Sequence, residues 1–353
     1  MNKRIARFSR RGFLAGVAGV IAAPTVLKTS AVADESNSLA VTGLGGSWQE
    51  AYTKNVTKPF SDETGISIRF VPSPGINKIK AMQLTGNIGI DVYTCTDAEA
   101  AFGSKQGFWE KLDPSLFNSN DLVVPPKDDA VAEYLYTAGI GWDPSRFGPG
   151  KHPATFGDFY DIKKFPGRRA LNKSPNGTLE AALLADGVTP KEMYPLDLDR
   201  AFKMLDRLKP SIATWSSNAT QSSSLLQTGE VDFSITFPSR VRPTTEPGGG
   251  VPLAFSFDQV TLSKAFNVVV KGTPNKANAM KFIAYTLRPE VQARLQNEAV
   301  LTPVSKKAMT MLSTAALKWQ PDLTNPNNLI VNETYWADNL DAVNKRLLNW
   351  ILT

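Results

Sequence analysis

The chain has 353 residues, with 39 Lys and Arg against 33 Asp and Glu, one histidine and one cysteine. One cysteine excludes an intrachain disulfide, and one histidine leaves the common zinc sites without a full ligand set. A Ser-His-Asp triad would depend on His152, a loop residue expected to be solvated. Residues 1–33 hold six of the basic residues and no acid, so 33 positive charges balance 33 negative ones in the remainder. That balance argues against nucleic acid or an anionic membrane as a partner.

The first 33 residues have the layout of a removable export signal. An arginine pair in residues 9–14 precedes a short apolar run, 13–23, and residues 31–33 read Ala-Val-Ala before Asp34. The run is too short to span a bilayer. The pair resembles the twin-arginine type of signal, but Ala15 stands where that pattern often has lysine, so Sec export stays open. The sequence predicts a periplasmic protein cleaved near Ala33.

After the signal, strand-like and helix-like segments alternate. Strands are predicted at 39–41, 66–71 and 90–95, and helices at 47–64, 76–84 and 97–107. Ser47 is predicted to cap the first helix, with Glu50 completing a capping box. Cys95 is expected to be a packed core thiol. This alternation favours a parallel sheet covered by helices.

A proline-rich stretch at 113–130 interrupts that rhythm, and residues 132–142 read as a long strand leaving the first unit. A second series follows. Its strands are predicted at 169–171, 213–215, 231–237, 253–257 and 266–270. Its helices are predicted at 178–186, 198–208, 218–228 and 275–287, followed by a second helix that ends at Glu298 and a final helix near the carboxyl terminus. Tyr335 and Trp336 lie in a polar, loop-like setting. About 320 residues after the signal are enough for two domains.

Several motifs occur in an order that resembles one family. They are residues 45–52, 60–66, 227–232, 281–291, 301–304 and 335–343. Together they resemble the extracellular solute-binding proteins of ABC importers, most closely the spermidine/putrescine-binding branch, over residues 38–353.

The resemblance implies an α/β fold, the type II periplasmic binding protein fold, in which each of two lobes is a mainly parallel sheet flanked by helices. Lobe 1 would comprise 34–135 plus 264–312, and lobe 2 would comprise 136–263 plus 313–353, with hinge crossovers between them. A small solute would bind in the interlobe cleft, and the closed form would dock on ABC permease subunits in the inner membrane. The family implies a monomer with no cofactor, no metal and no catalytic residues.

Candidate ligand-binding residues lie mainly where strands of the two lobes end, the usual position of a cleft in open α/β sheets. They are Ser47, Trp48, Thr96, Asp97, Asn172, Lys173, Ser174, Asn218, Phe237, Ser239, Arg240, Asn267, Tyr335 and Trp336.

The charges of these candidates bear on the ligand. Lys173 stands where the polyamine-binding branch carries an acid, Ala265 replaces another acid, and Arg240 adds a second cation. Like charge near a polyamine dication is unfavourable. Asp97 with Lys173 or Arg240 suits an amino acid or ω-amino acid, and a carboxylate ligand is the other option. The alternative for Lys173 and Arg240 is that both side chains point to solvent or pair with nearby acids. The alternatives to import are an exported enzyme on the same scaffold, or a ligand-sensing partner of a receptor.

Overall fold

A computed structural model describes residues 37–43 and 45–353. The predicted export signal and its cleavage site lie outside these residues. Among the residues described, no helix combines the length and the apolar character needed to cross a membrane.

The described residues form eleven strands, most of them short. The strands are β1 Ser38–Gly43, β2 Ser67–Pro72, β3 Val92–Thr96, β4 Val131–Trp142, β5 Arg169–Asn172, β6 Ile212–Ser216, β7 Phe233–Thr236, β8 Ala254–Phe255, β9 Thr261–Val269, β10 Thr302–Pro303 and β11 Leu329–Ile330.

Helices separate and flank these strands. They are α1 Gly46–Tyr52, α2 Lys58–Thr64, α3 Ile76–Thr85, α4 Asp97–Gln106, α5 Phe156–Tyr160, α6 Pro175–Ala185, α7 Leu198–Leu208, α8 Ala219–Gln227, α9 Pro238–Val241, α10 Lys276–Thr286, α11 Pro289–Ala299, α12 Lys306–Thr310, α13 Thr314–Leu317 and α14 Glu333–Leu352. A π-helical turn, Thr53–Thr57, joins α1 to α2.

The strands follow the order β2-β1-β3-β9-β4-β7-β5-β6. At one end β1 pairs in parallel with β2 and β3, and at the other end β5 pairs in parallel with β6 and β7. Between them β9 and β4 run antiparallel to their neighbours. Each end is therefore the parallel α/β unit that the alternating elements predict, and two long antiparallel strands connect the units.

Strand β4 belongs to both ends of this path. Its first part pairs with β9 as far as Ala138, and from Gly139 onward it pairs with β7. A Cβ atom at Gly139 would lie 2.7 Å from Phe255 Cζ, so the close packing at this change of partner requires glycine.

Two separate apolar cores accompany the two ends, and we name the parts around them lobe 1 and lobe 2. The core of lobe 1 includes Leu39, Phe60, Tyr93, Phe266 and Phe282. The core of lobe 2 includes Phe159, Leu183, Phe233, Trp336 and Leu347. The carboxyl-terminal helix α14 thus packs into lobe 2. The exact lobe boundaries at 135, 263 and 312 stay predictions.

The structure overturns two local predictions and confirms a third. Gly45, at φ 69°, is the N-cap of α1, so the predicted Ser47–Glu50 capping box is wrong; only glycine adopts this backbone conformation readily. Tyr335 and Trp336 lie in the first turn of α14, which Asn332 caps, and not in a loop. Cys95 is 6% exposed, which confirms a packed core thiol.

Candidate functional site

A cleft lies where strands of the two lobes end. Thr96 closes β3 of lobe 1, while Asn172, Ser216 and Phe237 end or follow β5, β6 and β7 of lobe 2. The cleft has two compartments with volumes of about 330 Å³ and 550 Å³. Their shared walls are Thr96, Tyr136, Ala219 and Phe237. The two compartments therefore adjoin each other at these residues.

The larger compartment, here called the aromatic compartment, has Trp48, Tyr134, Tyr136 and Phe237 in its walls. Trp48 stacks on Tyr52 with ring centroids 4.6 Å apart and planes 19° apart. The buried Trp48 Nε1 has no hydrogen-bond partner in the described structure. Buried donors are normally satisfied, so this N–H is available to a ligand.

A buried polar network supports the aromatic wall from behind. Tyr52 Oη donates to Glu133 Oε1 at 2.6 Å, and Asn267 Nδ2 donates to Glu133 Oε2 at 2.9 Å. Thr94 Oγ1 in turn donates to Asn267 Oδ1 at 2.7 Å. Burial raises the pKa of Glu133 to about 7. The network fixes the Tyr52 ring against which Trp48 stacks.

Arg240 supplies a cation to the aromatic compartment. It lies in α9, directly after Phe237, and its buried Nε has no hydrogen-bond partner among the described residues. Arg242, two residues on, is committed to protein contacts with Glu246 at 3.3 Å and with the Asn297 carbonyl at 2.9 Å. A guanidinium with an unused N–H at a cleft is suited to a carboxylate.

The smaller compartment, here called the polar compartment, combines apolar side chains such as Ala138, Ile235 and Leu340 with a set of amide and hydroxyl groups. They belong to Asn172, Ser174, Asn176, Ser216, Ser217, Asn218, Thr261 and Ser263. Lys173 is exposed at this compartment, and Glu333 and Trp336 form part of its wall. Asn218 also caps α8, because its Oδ1 accepts from the Gln221 N–H at 2.9 Å.

Glu333 is a deeply buried acid of the polar compartment. It is 1% exposed, and its Oε2 accepts a hydrogen bond from Asn176 Nδ2 at 3.1 Å. Its Oε1 is buried and has no partner in the described structure. Burial raises the pKa of Glu333 to about 7.

Asp97 behaves differently from a free binding-site acid. It is 3% exposed, and its carboxylate pairs with Lys127 and, at 2.7 Å, with Lys264. Lys127 also lies 4.7 Å from the centre of the Phe266 ring. Two lysines thus neutralise Asp97, and it is not part of either cleft wall.

The structure brings ten of the predicted ligand-binding residues into the cleft walls. They are Trp48, Thr96, Asn172, Lys173, Ser174, Asn218, Phe237, Ser239, Arg240 and Trp336. The other four lie elsewhere or are only partly described. Asp97 and Asn267 have their polar groups in buried contacts, Tyr335 packs on Tyr194 with centroids 5.4 Å apart, and only the backbone of Ser47 is described, within α1.

Sequence reasoning missed Tyr134, Tyr136, Glu99, Asn176 and Glu333 as cleft residues. The alternation of β4 contains a signal for the two tyrosines, since residues two apart share one face of a strand. For Glu333 the only signal was its position three residues before Trp336 on a helix.

Metal or histidine chemistry receives no support from the described part of the chain. Over residues 37–43 and 45–353, no group of three or more His, Cys, Asp or Glu side chains could hold a metal ion. His152 is half-buried and stacks on Trp142 at 3.8 Å, so the expectation of a solvated ring is wrong. His152 is not part of either cleft wall.

Comparison with known proteins gives the family of this cleft-containing chain. A family profile described as bacterial extracellular solute-binding protein matches residues 55–325. The chain belongs to this bacterial extracellular solute-binding family. A gamma-aminobutyric acid-binding protein from Pseudomonas aeruginosa is 32% identical over 328 residues, covering 90% of this chain and 91% of the relative.

Solved structures agree with this assignment. The Atu4243–GABA receptor is 32% identical with a TM-score of 0.81, covering 89% of this chain and 97% of that one. An ABC transporter substrate-binding protein from Bradyrhizobium japonicum is 31% identical with a TM-score of 0.82, covering 89% and 99%. The predicted family and the two-lobed type II fold are confirmed. This solute-binding protein is therefore the component of an ABC importer that binds a small solute and delivers it to permease subunits.

Proposed function

We propose that this solute-binding protein captures a small amino acid, with an ω-amino acid such as GABA preferred, in its interlobe cleft. The observation that carries the proposal is Arg240, whose buried Nε–H has no protein partner in a compartment with aromatic walls. A guanidinium binds a carboxylate by charge-assisted hydrogen bonds, and aromatic rings pack well on a short methylene chain. A relative named as a GABA-binding protein, 32% identical, supports the same ligand class.

A polyamine dication would find few free acids here. Glu99 Oε1 accepts from Tyr93 Oη at 2.7 Å, and its Oε2 accepts from Thr96, while Asp97 is paired with two lysines. The cleft also contains the cations of Lys173 and Arg240. Four acids, Glu50, Glu99, Glu298 and Glu333, also belong to the two cleft walls. The open Nε–H of Arg240, rather than the sum of charges, therefore favours a ligand with a carboxylate over one with two ammonium groups.

The proposal includes the finer points of location and assembly. The family is extracellular, in agreement with a periplasmic protein, and we propose export by the twin-arginine-like leader with cleavage near Ala33. We further propose a monomer that catalyses no reaction. The relatives support the absence of a catalysed reaction, since they are described as binding proteins and receptors.

Calorimetric titration of the purified protein tests the ligand class. The panel contains GABA, 5-aminopentanoate, alanine, glutamate, succinate and putrescine. We expect an amino acid to bind and putrescine to bind weakly or not at all. Putrescine binding more tightly than every amino acid would contradict the proposal.

Arg240→Gln tests the role of the cation. Removing one partner of a desolvated charge pair should weaken the binding of the preferred amino acid at least about 30-fold. Arg207→Gln is the matched control, because Arg207 pairs with Asp186 on the exposed surface of lobe 2. Equal affinities for the two variants would remove Arg240 from the site.

A further inference from the structure

Glu333 has an unused hydrogen-bonding position that its surroundings do not explain. It is 1% exposed, Asn176 satisfies Oε2, and the buried Oε1 has no partner within residues 37–43 and 45–353. A buried carboxylate oxygen without a donor costs free energy, so native structures rarely leave one in that state. This oxygen belongs to a residue of the polar compartment wall, where a ligand group can supply the missing donor.

The other buried or half-buried acids near the cleft have partners for their oxygens. Asp97 has Lys127 and Lys264, and Glu99 has Tyr93 and Thr96.

Glu180 is satisfied as well. Its Oε1 accepts from Tyr194 Oη at 2.7 Å and from Trp336 Nε1 at 2.6 Å, and its Oε2 accepts from the Gly177 N–H at 2.8 Å. Among the described buried acids of this region, Glu333 is the one with an open oxygen.

We propose that Glu333 binds the ammonium group of the captured amino acid while Arg240 binds its carboxylate. This rests on the proposed function and narrows it. The two compartments meet at Thr96, Tyr136, Ala219 and Phe237, so an extended ligand places one charged end in each. An ω-amino acid has its ammonium and carboxylate groups at opposite ends and can bind both Glu333 and Arg240. An α-amino acid has both groups attached to one carbon and cannot bind both residues in this way.

Proton linkage follows from the charged groups around Glu333. Asp97 on α4 and Glu180 on α6 add negative charge and raise its pKa, while Lys264 on β9 lowers it. Glu333 in turn helps to raise the pKa of Tyr136 and of Tyr194, and Lys173 is exposed at the same compartment. With a pKa of about 7, Glu333 is partly protonated at neutral pH. An incoming ammonium group favours the ionised form, so binding releases part of a proton at pH 7.

The test compares GABA and 5-aminopentanoate with butyrate and pentanoate, which lack only the amine. In Glu333→Gln we expect the two amino acids to bind about 10- to 100-fold more weakly, and the two deaminated acids to change less than about threefold. Asp341→Asn, at an exposed position of the same helix, should leave all four affinities unchanged. A Glu333→Gln variant with the wild-type preference for GABA over butyrate would overturn the assignment.

A second measurement needs no variant. Titration of GABA into the wild-type protein at pH 7, in buffers of different ionisation enthalpy, should show proton release, and butyrate should show none. Proton uptake, or no proton exchange with GABA, would overturn the role of Glu333 even if Glu333→Gln failed to fold.

The two proposals fail in different ways. If no amino acid binds, or if Arg240→Gln leaves every affinity unchanged, the proposed function fails and this inference fails with it. If GABA binds and depends on Arg240, but Glu333→Gln does not alter the preference for the amine, only the inference about Glu333 fails.

Discussion

Glu133 in the core of lobe 1 and Glu333 at the cleft are both buried, and burial raises the pKa of each to about 7. Their hydrogen bonds differ. Glu133 has both oxygens bonded, by Tyr52 and Asn267, whereas Glu333 has Oε1 open. The raised pKa is therefore common to both acids, and the count of satisfied oxygens separates an acid that supports the fold from one suited to a ligand.

The largest expected effect is on Glu133. In Glu133→Gln an amide NH2 group replaces one of the two carboxylate oxygens. Either Tyr52 Oη or Asn267 Nδ2, both buried donors, then loses its acceptor. We expect the free energy of unfolding to fall by about 3 kcal/mol. Glu333→Gln, which removes a buried charge with one open oxygen, should leave stability unchanged or raise it. Urea denaturation at pH 8 measures both, and equal losses would abolish the distinction between the two glutamates.

A pH series should sharpen the comparison. A carboxyl group whose folded pKa is about 7 binds more protons when folded than when unfolded between its ordinary pKa of 4.5 and 7. The free energy of unfolding contributed by this group is therefore present below pH 4.5 and decreases as pH rises to about 7, by roughly 3 kcal/mol over the window.

Glu333→Gln should reduce this slope, and Asp341→Asn should not. Denaturation midpoints at pH 5, 6, 7 and 8 provide the measurement. A slope in Glu333→Gln that matches the wild type would show that Glu333 does not titrate in this range.

The smallest expected effect concerns Asn176, which donates to the occupied oxygen of Glu333. Asn176→Ala removes a hydrogen bond that lowers the pKa of Glu333, so this pKa should rise further. A larger protonated fraction at pH 7 should weaken GABA binding about threefold, and the loss should disappear near pH 9. Titration at the two pH values, with the exposed Asn327→Ala as control, tests this; a loss independent of pH would assign Asn176 to direct contact with the ligand.

Local sequence patterns were sufficient for most elements of the fold. The period of apolar residues predicts α7 at 198–208, because a helix face is formed by neighbours in the chain. The strand-ending loops at Thr96, Asn172 and Phe237 follow from the same patterns, and all three residues belong to the cleft walls. The prediction of Ser47 as the N-cap was wrong, because Gly45 caps α1 in a backbone conformation, φ 69°, that the residue types do not reveal.

The binding chemistry of the acids was decided by tertiary structure. Asp97 read as a free ligand-binding acid because the lysines that neutralise it, Lys127 and Lys264, lie far along the chain. For Glu333 the only sequence signal was its spacing from Trp336, because its burial depends on α14 packing into lobe 2 and its partner Asn176 is distant in sequence. The sequence by itself determined the order of elements, the family and the strand ends that form the cleft, since these depend on local patterns. Which carboxylates are paired and which remains open was decided by contacts between distant residues, because electrostatic and hydrogen-bonding partners meet only when the two lobes are assembled.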